Sequence, residues 1–407
     1  MSRIVKRLYR SNRGLLALTA LLALTPLPAL AQLTASVAAS GQYESNSNVF
    51  DLQPGFTYTG LGPNPRRGDT DYTYSGAADL KYQWSQQTVF GDATASQTSY
   101  DYYHQLDHET YSVDLGWNGM LGNAVNGSFE VLRVHTMVPF LDVFQPTLTL
   151  STEQRERGGL GLQFLPRWRV EANGYTHTVT WPLPGDPNLA VDESEGDLAL
   201  KYLGTAGFTA GLDGGVLNGH FTGSTNPALN PAYKQWTGDF VVNDMPGGRS
   251  TLVGAIGYTD RTSEGVRIAL NSISGVTGNF TYSNQLTGKT SVSFILNRAI
   301  NVYITNFGSE IDNSATLRAT WQATDKIGVT VGYVWDYAEL PGQGDNPIGS
   351  TRLDHVQTPT ASITYQALSW LTIKPYTSYQ TRSSNYMGGN FDSWIVGANL
   401  AVTWKNM

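Results

Sequence analysis

From about residue 32 to the C-terminus the chain alternates between apolar and polar positions with a period of two, and helical periodicity is almost absent. In Asp71–Trp84, Tyr72, Tyr74, Gly76, Ala78, Leu80, Tyr82 and Trp84 fall on one face, and Asp71, Thr73, Ser75, Ala77, Asp79, Lys81 and Gln83 on the other. Residues 313–323 and 327–337 repeat the pattern. Successive side chains of a strand point to opposite faces, so each segment predicts a strand with one aromatic-apolar face and one polar face. The predicted strands run to about 10–14 residues, longer than the 5–6 usual in soluble sheets and matched to a membrane crossing of about 9–11. Trp84, Trp117, Trp168, Trp321, Trp335 and Trp404 cluster toward strand ends, as interfacial aromatic girdles do.

Short and long connections alternate. Short ones are expected at 85–87, 122–123, 166–167, 204–205, 245–248, 285–288, 324–326 and 368–369, and long ones near 44–69, 136–148, 181–193, 221–231, 298–310, 338–350 and 383–391, with two shorter excursions near 101–109 and 262–268 on the long side. This is the layout of an up-and-down barrel with tight turns at one rim and loops at the other. The breaks predict an all-β, transmembrane antiparallel barrel of about 18 strands, or 16 if a hairpin near 88–109 or 262–298 is absent. The last strand, Trp394 to Trp404, alternates and ends on an aromatic, the form that the barrel-assembly machinery reads; three residues, Lys405-Asn406-Met407, follow it.

Composition fits this reading. Charged residues make up 14% and hydrophobic ones 40%, with 43 Gly, 22 Tyr, 10 Trp and no Cys. The aromatics argue against disorder, and the shortage of long apolar runs argues against a bundle of membrane helices. Residues 1–31 read as a signal peptide: a basic start (Arg3, Lys6, Arg7, Arg10, Arg13), an apolar stretch over 14–24, then Ala29-Leu30-Ala31 as the cleavage site. Residues 32–407 are expected to form a single outer-membrane barrel domain in a Gram-negative bacterium. Removing five bases and no acid leaves 21 bases against 33 acids, a net charge of −12, which excludes a polybasic nucleic-acid surface.

Ser45-Asn46-Ser47-Asn48-Val49-Phe50 follows the first strand, Tyr103-His104-Gln105-Leu106-Asp107 comes later, and Gly248-Arg249 opens a strand ending Gly257-Tyr258-Thr259-Asp260-Arg261. With these features the layout resembles the β-barrel porins associated with exopolysaccharide biosynthesis, in clusters that also carry exosortase-type genes. The resemblance implies an outer-membrane location and a part in surface-polysaccharide export. It brings no catalytic residues.

The polar face is the candidate functional surface. Alternation directs Lys81, Asp114, Glu130, Arg155, Arg157, Arg169, Glu171, Arg318, Lys374 and Arg382 to the lumen, with Asp79, Asp92, Lys201, Asp213, Asp239 and Asp336. Eight acids and eight bases predict a near-neutral lumen, and Arg155, Arg157 and Arg169 predict one basic wall. His104 and His108 lack the helix that would make i, i+4 a metal site. An enzyme would need a pairing such as His177 with Asp192 or Glu193, and a chain of this size supplies such pairs by chance. The expected function is a pore or export component for polysaccharide or small hydrophilic solutes, without cofactor, metal or catalytic residues. Its expected partners are outer-membrane lipid, the assembly machinery, and polysaccharide or periplasmic export proteins. The alternatives are a scaffold barrel that docks periplasmic partners and an outer-membrane enzyme.

Overall fold

The computed structural model describes residues 31–55, 65–140, 146–183, 186–224, 231–264, 272–303, 308–345 and 348–405. The segment read as a signal peptide lies outside them except for Ala31. Eighteen strands follow in chain order: β1 (Ala31–Asn46), β2 (Asp69–Trp84), β3 (Gln87–Tyr100), β4 (His108–Leu121), β5 (Val125–Met137), β6 (Leu150–Leu165), β7 (Trp168–Leu183), β8 (Asp186–Leu203), β9 (Thr209–Thr222), β10 (Ala232–Asp244), β11 (Ser250–Glu264), β12 (Ile273–Gln285), β13 (Thr290–Tyr303), β14 (Gly308–Gln322), β15 (Ile327–Asp345), β16 (Ile348–Leu368), β17 (Leu371–Ser384) and β18 (Phe391–Lys405). Each pairs antiparallel with its sequence neighbour, and β18 pairs with β1 from Ser36–Lys405 to Asn46–Ile395. The sheet is a closed antiparallel barrel, and closure removes the edges that an open sheet would expose.

Tight turns occupy one rim. Trp84 and Gln87 pair directly across a two-residue loop in which Ser85 takes a positive φ of 53°, the left-handed backbone that lets a hairpin turn follow the strand twist. The other rim carries the longer connections, with three exceptions, one of them near 298–310, where β13 and β14 stay paired from Arg298–Asn313 to Tyr303–Gly308. The connection expected near 181–193 is a hairpin extension in which Val179 pairs with Val191 and Trp181 with Leu189. The one expected near 338–350 continues as β15 and β16, with a bulge between Leu340 and Gly344.

Register gives the barrel two faces of inverted polarity. Leu160 and Leu198 are 66% and 65% exposed on the outside, with Leu115, Phe129, Leu212, Ile256 and Leu317 also exposed. The alternating residues of these strands, among them Asp114, Glu130, Arg157, Asp197 and Asp213, point inward. A soluble protein rarely shows a continuous apolar surface of this extent. Aromatics mark its two borders: Trp168, Trp321 and Trp404 near the tight turns, and Tyr72, Trp236, Tyr258, Trp335 and Trp394 toward the loop rim.

Candidate channel lining, mouth and seam

By register, the ten candidate lining residues share the sheet face opposite the exposed apolar side chains. Arg157 donates to Glu130 at 2.6 Å from the adjacent strand, and Asp114 stands opposite Asp92 on β3. Arg169 bridges to Glu171 at 2.6 Å, and Glu171 also receives Lys201 from β8. Arg382 on β17 and Arg352 on β16 both donate to Asp354, which also accepts from the Ser384 hydroxyl. Lys81, Arg155, Arg318 and Lys374 make no ion pair among the described residues; they face Phe90, His177, Ser293 and Asn399 respectively.

The basic wall does not emerge as expected. Arg157 and Arg169 are each neutralised by a neighbour, and an arc of acids flanks them. Asp79, Asp92 and Asp114 run along β2–β4 on one side, and Glu193, Glu195, Asp197, Asp213 and Asp239 along β8–β10 on the other. Glu193, within the loop expected near 181–193, and Glu195 just beyond it are strand residues of β8 on the inward face. Glu44 and Glu153 add further acids, against Arg261 and Arg352 among the bases. The inner face is therefore acidic.

His177 does meet Glu193. Its Nδ1 donates to Glu193 Oε2 at 2.8 Å, and its Nε2 faces Glu153 Oε1 at 3.2 Å. The Tyr233 hydroxyl donates to the other oxygen of Glu193. Asp192 points the opposite way and accepts from Thr178 at 2.7 Å. With a carboxylate on each nitrogen, His177 cross-links β6, β7 and β8. His108 is turned onto its own loop, its Nδ1 on the Leu106 carbonyl at 2.7 Å. Among the described residues no group of three His, Asp or Glu could hold a metal ion.

At the loop rim, three connections share an apolar core. Val49, Phe50 and Leu52 follow β1, Tyr103 and Leu106 lie between β3 and β4, and Phe140 follows β5. The Phe50 ring packs edge-on against Tyr103 at 4.6 Å and Phe140 at 4.9 Å. The Tyr103 hydroxyl donates to the Arg66 carbonyl, and burial raises its ionisation above the ordinary phenol range. The motif 45–50 builds this core. Buried Asn48 donates to the carbonyls of Leu52 and Asp392, each at 3.0 Å, and accepts from the Leu52 amide. Asn46 accepts from the Asn48 amide and the Ser393 hydroxyl. The motif thus ties the mouth to the β1–β18 closure.

One seam in the wall is incomplete. β12 and β13 pair only from Gly278–Arg298 to Gln285–Ser291. Beyond that point residues 273–277 stay with β11 and residues 299–303 stay with β14. The freed end of β13 turns into the lumen, where Val302 packs on a buried cluster that includes Trp181, Leu189, Phe221 and Tyr233. Buried carbonyls need partners, and two arginines supply them. Arg261 donates to the carbonyls of Ile300 at 3.0 Å and Asn301 at 2.9 Å, and Arg298 donates to that of Val276 at 3.0 Å. None of this is signalled by local sequence pattern.

No family model matches the chain. No curated protein matches it in sequence. Among solved structures it is similar to the outer-membrane protein OpdK of Pseudomonas aeruginosa, at 10% identity and TM-score 0.48, covering 92% of this chain and 99% of that one. OpdL of the same organism is similar at 11% identity and TM-score 0.45, with coverage of 92% and 99%. The FrpB iron transporter of Neisseria meningitidis is similar at 9% identity and TM-score 0.48; the match covers 88% of this chain and 63% of FrpB's length. These are likenesses of barrel form alone.

Proposed function

We propose that the mature chain is an outer-membrane channel of a Gram-negative bacterium, passive and without a cofactor, that conducts hydrophilic solutes and serves polysaccharide export. One observation carries this reading: the same strands expose leucines outward and present ion pairs and carboxylates inward. A bilayer demands that arrangement, because it tolerates a spanning sheet only when every backbone group is paired within a closed barrel. The resemblance noted in the sequence supports the polysaccharide assignment, and so does a lining rich in hydroxyls and amides. Assembly would proceed through the C-terminal strand β18, which closes the barrel on β1.

The test is swelling of liposomes that carry the purified chain, challenged with sugars of increasing size. Swelling that falls off with sugar size supports a conduit. No swelling with any sugar favours a second reading, a scaffold barrel with an obstructed lumen. That reading draws on the loop core at the mouth and on the inward turn of β13.

A further inference from the structure

Two cavities of nearly equal size flank the open seam between β12 and β13. Inside lies a polar one of about 550 Å³, bordered by Glu193, Arg261, Asn279 and Asn297. Outside lies an apolar groove of about 560 Å³, bordered by Phe240, Ile256, Phe280, Leu296 and Trp335. Thr277, Gly278, Asn297 and Arg298 border both, so the two cavities lie back to back across the last paired residues of the ladder, Gly278 and Arg298. The outer groove exists because Gly254, Gly278 and Ala315 place almost no side chain there. A Cβ at Gly278 would lie 2.6 Å from the Ala255 carbonyl, so the position does not admit a larger residue without backbone movement.

We propose that this seam is a lateral port that holds a single-chain amphiphile, with its alkyl chain in the outer groove and an uncharged, hydroxyl-rich head in the inner cavity. The proposal rests on the membrane-barrel reading above, which puts hydrocarbon against the groove. The division of polarity sets the orientation of the ligand. The head is assigned as uncharged because Glu195 and Asp239, which also border the inner cavity, oppose an anion there, and the ionic groups nearest the seam are engaged by other side chains or by the backbone. Glu193 is held by His177 and Tyr233, Arg261 by two carbonyls and Gln235, and Arg298 by Val276 and Asn313. Asn279 and Asn297 make no side-chain hydrogen bond among the described residues, and their amides suit sugar hydroxyls. The two arginines also have a reason to be where they are. By satisfying the carbonyls that an unzipped ladder leaves bare, they hold the seam open without the cost of unpaired backbone.

The probes are two dodecyl glucosides, one with a photoreactive diazirine on the sugar and one with it at the chain end, applied to the full mature chain in lipid vesicles. Peptide mapping should find the sugar label on Asn279 or Asn297 and the chain label on Phe280 or Leu296. Ala315→Trp, an outward change that fills the groove, should lower both labels about tenfold, and Asn279→Leu should lower the sugar label with the chain label kept. Heat-modifiable migration of each variant verifies that it folds. Chain label spread evenly over the belt, including Leu160 and Leu198, and indifferent to Ala315→Trp would overturn the port while leaving the membrane barrel intact. Absence of label from every outward residue would overturn the membrane reading, and the port with it.

Discussion

The Tyr376 hydroxyl donates to the Glu44 carboxylate at 2.6 Å, from β17 to β1, across the whole width of β18. It passes over Gly397, where a Cβ would lie 2.5 Å from the ring and 2.7 Å from the Tyr43 carbonyl. Tyr233 repeats the device, reaching from β10 over Gly219 of β9 to Glu193 of β8. Each clasp locks three strands, one of them at the closure of the barrel. Gly397→Val should force the ring away and destabilise closure, and Tyr376→Phe should cost about 1–3 kcal/mol by leaving the carboxylate short of a donor. The check is the temperature at which the folded gel band converts to the unfolded one. It should fall in both variants, and further for Gly397→Val.

The two faces make opposite demands on charge. Val331 is 50% exposed on the outside, while Arg318 of the neighbouring strand faces Ser293 and Gly332 inside. Val331→Arg should cost about 2–4 kcal/mol if it lies near the bilayer midplane, and should reduce assembled protein. Arg318→Ala should assemble normally and alter conductance only. Cell fractionation followed by heat-modifiability gels separates the outcomes; equal assembly of the two would contradict the assigned faces.

The mouth core should behave as a small hydrophobic cluster. Leu106 is fully buried there, so Leu106→Ala should loosen the three connections at a cost of about 2–5 kcal/mol while the barrel stays closed. Limited proteolysis of intact vesicles should then cut the connections near residues 50 and 103 faster than in the parent chain.

The strand pattern was open to reading because a barrel with lipid outside and water inside imposes period two on most of its length. Lys81, Glu130, Arg157 and Arg318 lie on the polar face of that alternation. The reading broke down where the inner face stops being polar. Around 179–191 the inward residues are Val179, Trp181, Leu189 and Val191, packed on the freed end of β13. An apolar inward face, with Pro182 and Pro184 nearby, reads locally as a break, which hides the strand that carries Glu193 inward. The clasps over Gly219 and Gly397 and the end of the β12–β13 ladder depend on residues far apart in sequence. The motif 45–50 stood out by its residue types, and its work of tying the mouth to β18 needed the third dimension.

Processing should yield a defined start. Cleavage after Ala31 leaves Gln32, which pairs with Gln83 in the β1–β2 ladder. N-terminal sequencing of the mature protein should begin at or next to Gln32. A mature chain retaining the basic leader would contradict that assignment.

The central claim is that this barrel conducts ions through an acidic interior, and electrical recording of the mature chain in a planar bilayer tests it most directly. Carboxylates along β2–β4 and β8–β10 outweigh the paired arginines and should favour cations inside the lumen. Discrete conductance steps are expected, with a reversal potential under a salt gradient showing modest cation preference, weakened by Asp92→Asn and Asp213→Asn together. A bilayer that stays silent with folded, heat-modifiable protein inserted would contradict the channel.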